Sequence, residues 1–239
     1  MIKIENAEVV GWEHAIRGCR NPLNSWARSD SEWTVMNPSD YELGYDPNYE
    51  YVIGENDHDL MMRLRNAGTD HRKFMRMITV YVDITAPLYM LKELDQYKVG
   101  VTSNSCSTMH RIHSKEFTLD DFSHEHLGAR SIEVLEDTID ILNRYRYLYL
   151  NGGEDFISDN DYIDYKPKNK HVWYQLIQLL PSSYNQKRTY CMNYEVLANI
   201  YKSRKTHKLD EWKTLCKWIE TELPYSELIT GETHESNNK

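Results

Sequence analysis

The chain has 239 residues, of which 40% are hydrophobic and 27% charged, the balance of a soluble globular protein long enough to bury a substantial core. Its formal net charge of −9 excludes a non-specific duplex-binding protein, which needs a basic footprint to displace counterions; a local basic pocket for a phosphorylated small molecule stays open. No apolar run approaches the length of a membrane span.

Residues 2–10 alternate enough to form a strand. The opening Met1-Ile-Lys-Ile-Glu-Asn6 lacks the basic region and apolar core of a signal peptide, so the expected location is the cytoplasm. Glu13 to Cys19 starts a short helix that stops near Asn21-Pro22. Residues 28–54, rich in Ser, Asp, Asn, Pro, Gly and Tyr and without periodicity, read as a long loop or insertion. Asp57 to Ala67 reads as a helix with Leu60, Met61 and Leu64 on one side and Gly68 as its stop. Ile78 to Ile84 is a β-branched strand, and Ala86-Pro87 opens a helix to about Tyr97. Gly100 to Met109 is polar, small and irregular, the kind of loop that carries chemistry.

Thr118 to Leu127 begins with a Thr/Asp cap signal. Ser131 to Leu150 is a long amphipathic helix through Ile132, Leu135, Ile139, Leu142 and Tyr145, ended by Asn151-Gly152-Gly153. Residues 154–170 read as an exposed loop, and His171 to Leu180 as a helix ended by Pro181. Tyr194 to Arg204 is a helix whose Val196, Leu197, Ile200 and Tyr201 recur at helical spacing; Asn199 stands off that stripe and Arg204 closes the last turn. Asp210 to Glu222 is the last helix, and residues 230–239 form a polar, flexible tail. Strands and helices mix without strict alternation, which points to an α+β fold, read as a single domain over residues 1–239.

Leu180-Pro181, the polar Ser-Ser-Tyr-Asn-Gln-Lys-Arg188, then Asn193, Asn199 and Arg204 form an ordered series. This series resembles the C-terminal half of the flavin-dependent thymidylate synthases. A second match follows the strand and Ala-Pro: Thr102, Asn104 and Ser107 keep the pattern of the family's Ser-x-Asn-Glu-x-Ser-x-Arg-Tyr motif. Arg17 and Arg20 are similar to two N-terminal arginines, His71 falls near a His-bearing turn, and His207 and Trp212 follow nearly in place. The resemblance covers residues 7–22, 57–110 and 171–222.

The resemblance implies an α+β fold with a mixed or antiparallel sheet flanked by helices. It implies methylation of uracil C5 in dUMP, or in another pyrimidine nucleotide, with carbon from methylenetetrahydrofolate, hydride from reduced FAD and NADPH as flavin reductant. Active sites would form between subunits of a homotetramer, with neither nucleic-acid polymer nor membrane as partner. His71, Lys98, Asn104, Asn193, Asn199 and His207 would bind the cofactor. Ser105, Ser107, Thr108, Arg188 and Arg204 would bind the nucleotide, with Arg204 and Ser107 as the catalytic pair. Arg204 would hold the uracil and stabilise charge developing on its carbonyl oxygen, a role suited to a fixed, always-charged donor fork.

The chain departs from the motif at several points. The family's Arg-His-Arg is Gln96-Tyr97-Lys98, its Glu is Ser105, its Arg is Met109 and its Tyr is His110. A further arginine, before the Leu-Pro pair, is Ile177. Lys98, Arg111, Lys187 and Arg188 are the candidates to compensate, since a phosphate desolvated without cations binds poorly. A second reading therefore stands beside the enzyme: a non-catalytic or altered-substrate nucleotide- or flavin-binding protein of the same fold.

Each residue also has a plainer role open to it. Arg204 is a dipole-favoured cation at a helix end, Asn104 and Ser107 are turn formers, His71 is a surface histidine, and Lys187 and Arg188 are solvated charges. His110, His113, His124 and His126 read as scattered surface histidines, and no metal is expected. Cys19, Cys106, Cys191 and Cys216 form no Cys-x-x-Cys pair and read as free thiols, with Cys106 buried. Tyr, at 18 against 4 Phe, suits half-polar pockets and subunit interfaces.

Overall fold

The structure is a computed structural model describing residues 2–36, 49–158 and 161–231. The sequence elements resolve as β1 (Lys3–Val10), α1 (Trp12–Arg20), β2 (Glu32–Val35), β3 (Tyr49–Val52), α2 (Glu55–Asn66), β4 (Thr79–Pro87), α3 (Leu88–Leu94) and β5 (Thr102–Ser105). There follow α4 (Ala129–Asn151), β6 (Gly153–Ser158), β7 (Asp161–Tyr165), α5 (Lys170–Leu179), β8 (Asn185–Asn193), α6 (Tyr194–Arg204), α7 (Asp210–Glu222) and α8 (Glu227–Thr230). The fold is α+β: a four-stranded antiparallel sheet, in the order β1-β4-β8-β5, flanked by helices. Among the described residues no helix is long and apolar enough to cross a membrane.

By contacts the chain divides into two compact units. The first comprises 1–3, 83–96 and 103–189; the second comprises 4–82, 97–102 and 190–239. The first is built on α4, whose Leu135, Ile139 and Leu142 pack with Leu176 of α5 and with Ile112, Phe117 and Phe122. The second has a core of Ile16, Met61, Ile78, Leu197, Ile200 and Trp212, all nearly inaccessible. Fully burying a side chain of this size contributes roughly 1.5–3 kcal/mol. α6 is buried almost all round, from Tyr194 to Ala198 and at Ile200 and Tyr201, so Asn199 is an exception on its surface.

Four sequence expectations are corrected. Residues 28–54 are not all loop: Glu32–Val35 pairs antiparallel with Tyr49–Val52, and the cross-strand pair Trp33–Tyr51 brings its rings within 5.2 Å. The rest of that expected insertion, residues 37–48, lies outside the described residues, as does the expected flexible tail from residue 232. Residues 154–170 are not an exposed loop either, because β6 and β7 form a hairpin there. The Ala86-Pro87 pair ends β4 and leads straight into α3, with Pro87 as its N-cap rather than in its first turn, and the helix ends at Leu94 rather than near Tyr97. Pro87 keeps an extended ψ of 146°, and the first free amides of α3, on Leu88 and Tyr89, donate to the carbonyls of Tyr184 and Ser182. Finally, the polar stretch after Pro181 enters a strand, β8.

The cap read at Thr118 is present as a reciprocal Thr118–Asp121 box, but it starts only a single 3-10 turn, after which Phe122 becomes extended and bridges to Tyr184. Cys106 is exposed rather than buried. Cys19 and Cys216 are buried, and burial pushes their thiols up to about 12 and about 11, which keeps them protonated and unreactive at neutral pH.

Candidate functional site

Arg204 closes α6 in the second unit, and two aromatic side chains of that unit orient it. Its Nε donates to Tyr97 Oη at 3.0 Å, and its guanidinium carbon lies 4.7 Å from the ring centre of Trp212. Trp212 is fully buried in α7, so the face it presents is immobile. An aromatic face under a guanidinium attracts it electrostatically and sets its plane. His207 stands edge-on to the same Trp212 at 6.2 Å. Its Nδ1 accepts from the Leu209 amide at 3.2 Å, so the ring proton sits on Nε2 and that nitrogen is a donor.

At the other end of α6, Asn193 is the N-cap: its Oδ1 accepts from the Val196 amide at 3.0 Å. Gly100 passes directly above, with φ +76°, and a Cβ there would stand 2.9 Å from Asn193 Nδ2. Only glycine meets both demands. Lys98, two residues earlier, is exposed.

Asn199 projects from the exposed face of α6, where its Oδ1 accepts from Arg72 Nη2 at 3.1 Å. Arg72 Nε stands 3.5 Å from Glu195, and Arg76 binds the same buried carboxylate. His71, the exposed neighbour of Arg72, opens the 3-10 turn over Arg72–Arg76. His71 and Asn199 are thus joined through Arg72, a residue the sequence reading did not single out.

The remaining candidates belong to the first unit. Asn104 and Ser105 lie on the exposed strand β5. Ser107 Oγ accepts from the amides of Met109 and His110 at 3.3 and 2.9 Å, which makes it the organiser of its own turn. Thr108 is half-buried within that turn. Gln186 links this loop to Arg188: its Nε2 donates to the Cys106 carbonyl at 2.6 Å and its Oε1 accepts from Arg188 Nε at 2.9 Å. Arg188 also donates to Asp95 at 2.6 Å, and Lys187 pairs with Asp83 at 3.0 Å. Two of the four compensating cations therefore already face carboxylates; Lys98 and Arg111 are exposed. Among the described residues no group of three or more His, Cys, Asp or Glu is arranged to hold a metal.

Sequence reasoning missed Tyr97, Arg72 and Gln186 as site residues. The signal for Tyr97 was its place inside Gln96-Tyr97-Lys98, where the motif has a histidine. Nothing local marks Arg72, whose partner Asn199 is 127 residues away.

No protein-family model matches the chain, and no curated protein matches it in sequence. Solved structures do match it. The flavin dependent thymidylate synthase ThyX from Helicobacter pylori, crystallised with FAD and dUMP, superposes with a TM-score of 0.63 at 16% identity, over 96% of this chain and 98% of that one. A UMP/dUMP methylase, PolB from Streptomyces cacaoi, bound with 5-Br dUMP, superposes with a TM-score of 0.54 at 11% identity, over 92% of this chain and 89% of that one. At these identities the likeness is one of fold.

Proposed function

We propose that this protein is a cytoplasmic flavin-dependent thymidylate synthase, which methylates C5 of the dUMP uracil with carbon from methylenetetrahydrofolate and uses NADPH to reduce FAD. The observation that carries the reading is Arg204, whose guanidinium is oriented by Tyr97 Oη and the buried face of Trp212. An exposed surface arginine kept only for the helix dipole has no need of two aromatic partners. In the proposal its fork holds the uracil and stabilises negative charge that builds on a carbonyl oxygen during attack from C5. Ser107, with Ser105, Thr108 and Arg188, takes the rest of the nucleotide.

The polar groups of the second unit suit a flavin ring, whose edge is rich in acceptors. His207 Nε2 is a donor, because Nδ1 is occupied by an amide. Asn193 offers its amide nitrogen, because Oδ1 is used in the cap. Asn199, with its oxygen turned to Arg72, likewise presents a donor, and His71 and Lys98 are exposed beside these segments. With Asn104 these residues would hold FAD, which when bound and reduced supplies the hydride. The protein's own part is to orient the uracil against it and to stabilise the charge.

The second reading, a non-catalytic or altered-substrate nucleotide- or flavin-binding protein of this fold, is favoured by the pairing of Lys187 with Asp83 and Arg188 with Asp95, which reduces the charge available to a phosphate. The visible spectrum of the purified protein and an FAD titration followed by flavin fluorescence and thermal shift separate the two. Binding of FAD, with tritium release from C5-labelled dUMP in the presence of methylenetetrahydrofolate and NADPH, is the expected result. No thermal shift at high micromolar FAD would remove the flavoenzyme.

A further inference from the structure

The second unit contains a cavity of about 290 Å³ along α6, lined by neither Arg204 nor its partners Tyr97 and Trp212. Arg65, Arg72, Lys202 and Lys205 line it, with Ile229 and Thr230 of α8; no carboxylate stands among the described lining residues. In a chain of net charge −9, a cavity whose charged groups, among the described residues, are all cations runs against the overall field. We propose that this cavity binds a phosphate or diphosphate group.

Two guanidiniums give the cavity a rigid positive wall. Arg65 is tied through Nε to the Leu228 carbonyl at 3.1 Å, through Nη2 to the Ile229 carbonyl at 3.0 Å and through Nη1 to Asn66 at 3.1 Å. Arg72 donates to Asn199, and the nearest carboxylate, Glu195, is shared with Arg76. One carboxylate between two arginines leaves net positive charge at Arg72. Burial, and after it the Arg72 charge nearby, lower the pKa of Arg65. An anion between them relieves the repulsion. Lys202 and Lys205, three residues apart on one helix face, add two further cations to the lining, with Lys205 Nζ 5.5 Å from the ring centre of Tyr201.

The volume sets the ligand class. Pockets for whole small molecules run from roughly 300 to 1,000 Å³. This one, just below that range, is large enough for a phosphate or diphosphate. The inference does not depend on the flavin reading.

Pyrophosphate is the probe, titrated calorimetrically into wild-type protein, into the double variant Lys202→Glu/Lys205→Glu, and into Lys217→Glu, an exposed charge change on α7. The expected result is binding to wild type and to Lys217→Glu, and at least about tenfold weaker binding to the double variant, with circular dichroism unchanged in all three. No heat at millimolar pyrophosphate, or equal affinity in wild type and double variant, would overturn the proposal. Equal weakening by Lys217→Glu would overturn it too, as a general charge effect. Where pyrophosphate binds as expected, competition assigns the source. Displacement by FAD points to a flavin diphosphate and displacement by dUMP to a nucleotide phosphate. Displacement by neither points to a third phosphorylated ligand.

Discussion

The chemistry proposed for Arg204 depends on direction as much as on charge. Tyr97 takes its Nε and Trp212 takes one face, so the side chain is placed before any ligand arrives. Lysine keeps the charge but has neither the planar fork nor the stacking face. Arg204→Lys should therefore lower turnover about a hundredfold or more while FAD affinity stays unchanged, as read by tritium release and by flavin fluorescence. Tyr97→Phe keeps the ring and removes only the hydroxyl that takes Nε. Its expected loss is smaller, roughly tenfold in turnover, again without change in FAD affinity. Equal turnover in wild type and Arg204→Lys would take the uracil away from this residue. The spacing of Asn193, Asn199 and Arg204 was legible in the sequence because all three lie on one helix or its cap. The residues that orient them were not. Tyr97 reaches Arg204 across 107 positions, and a contact of that span leaves no local pattern.

At the scale of elements, Asn193 serves two purposes that substitutions can separate. Its oxygen caps α6 and its nitrogen is the group proposed for flavin. Asn193→Asp keeps the capping oxygen and places a negative charge at a helix N-terminus, so thermal stability should hold or rise slightly. It removes the donor, so FAD affinity should fall. Asn193→Ala should lose both, with stability down by about 1 kcal/mol in urea unfolding. If Asn193→Asp binds FAD as wild type does, the residue is a cap alone.

Asp57 shows the same reach from one side chain to several elements. It accepts from Arg20 of α1 at 2.7 Å, from the hydroxyls of Ser29 and Ser31 at 2.7 Å each, and from the amide of Asp30 at 3.1 Å. Burial alone would raise its pKa; the hydrogen bonds from Ser29, Ser31, Arg20 and Asp30 outweigh it and hold the carboxyl below the usual value. A folded pKa below the unfolded one contributes stability at pH values above the unfolded value, about 3.9, and that stability is lost as pH falls through the folded value. Asp57→Asn should cost about 3–5 kcal/mol at pH 7, because it leaves Arg20 buried without its counter-charge. The difference between wild type and variant, followed by urea unfolding, should shrink as pH drops below about 4. A difference independent of pH would deny Asp57 its charge-pairing role.

The elements legible in the sequence were those with a one-sided or continuous apolar pattern. α4, α6 and α7 fall within two residues of their expected bounds because their buried positions recur at helical spacing. β8 hid because its first inward residue is Gln186, a polar side chain satisfied by Cys106 and Arg188; the inward alternation becomes apolar only at Tyr190 and Met192. β2, β3, β6 and β7 hid for a different reason. They are short hairpin strands whose stability comes from pairing across the ladder, and Trp33, Tyr49 and Tyr162 remain largely exposed. An exposed strand has no buried face to write into the sequence.

At the scale of the whole molecule, α4 carries apolar side chains that the chain itself does not cover. On α4, Val134 and Ile141 lie seven residues apart on one face and are 51% and 44% exposed, whereas the exposed Tyr147 and Leu150 lie round the helix from them. The Val134–Ile141 stripe is the surface of α4 on which self-association is to be tested. It suits the homotetramer that the family resemblance implies, and the abundance of tyrosine suits interfaces that are half polar. Light scattering behind a sizing column should give four times 28.4 kDa at micromolar concentration. Val134→Glu with Ile141→Glu puts two charges on the stripe without touching the buried positions Leu135, Ile139 and Leu142 that hold the unit together. The double variant should stay folded by circular dichroism, lose mass on the column and lose turnover with it. A wild type that runs as a clean monomer would mean that no site shared between subunits forms. A double variant that keeps both its mass and its activity would move the assembly surface away from α4.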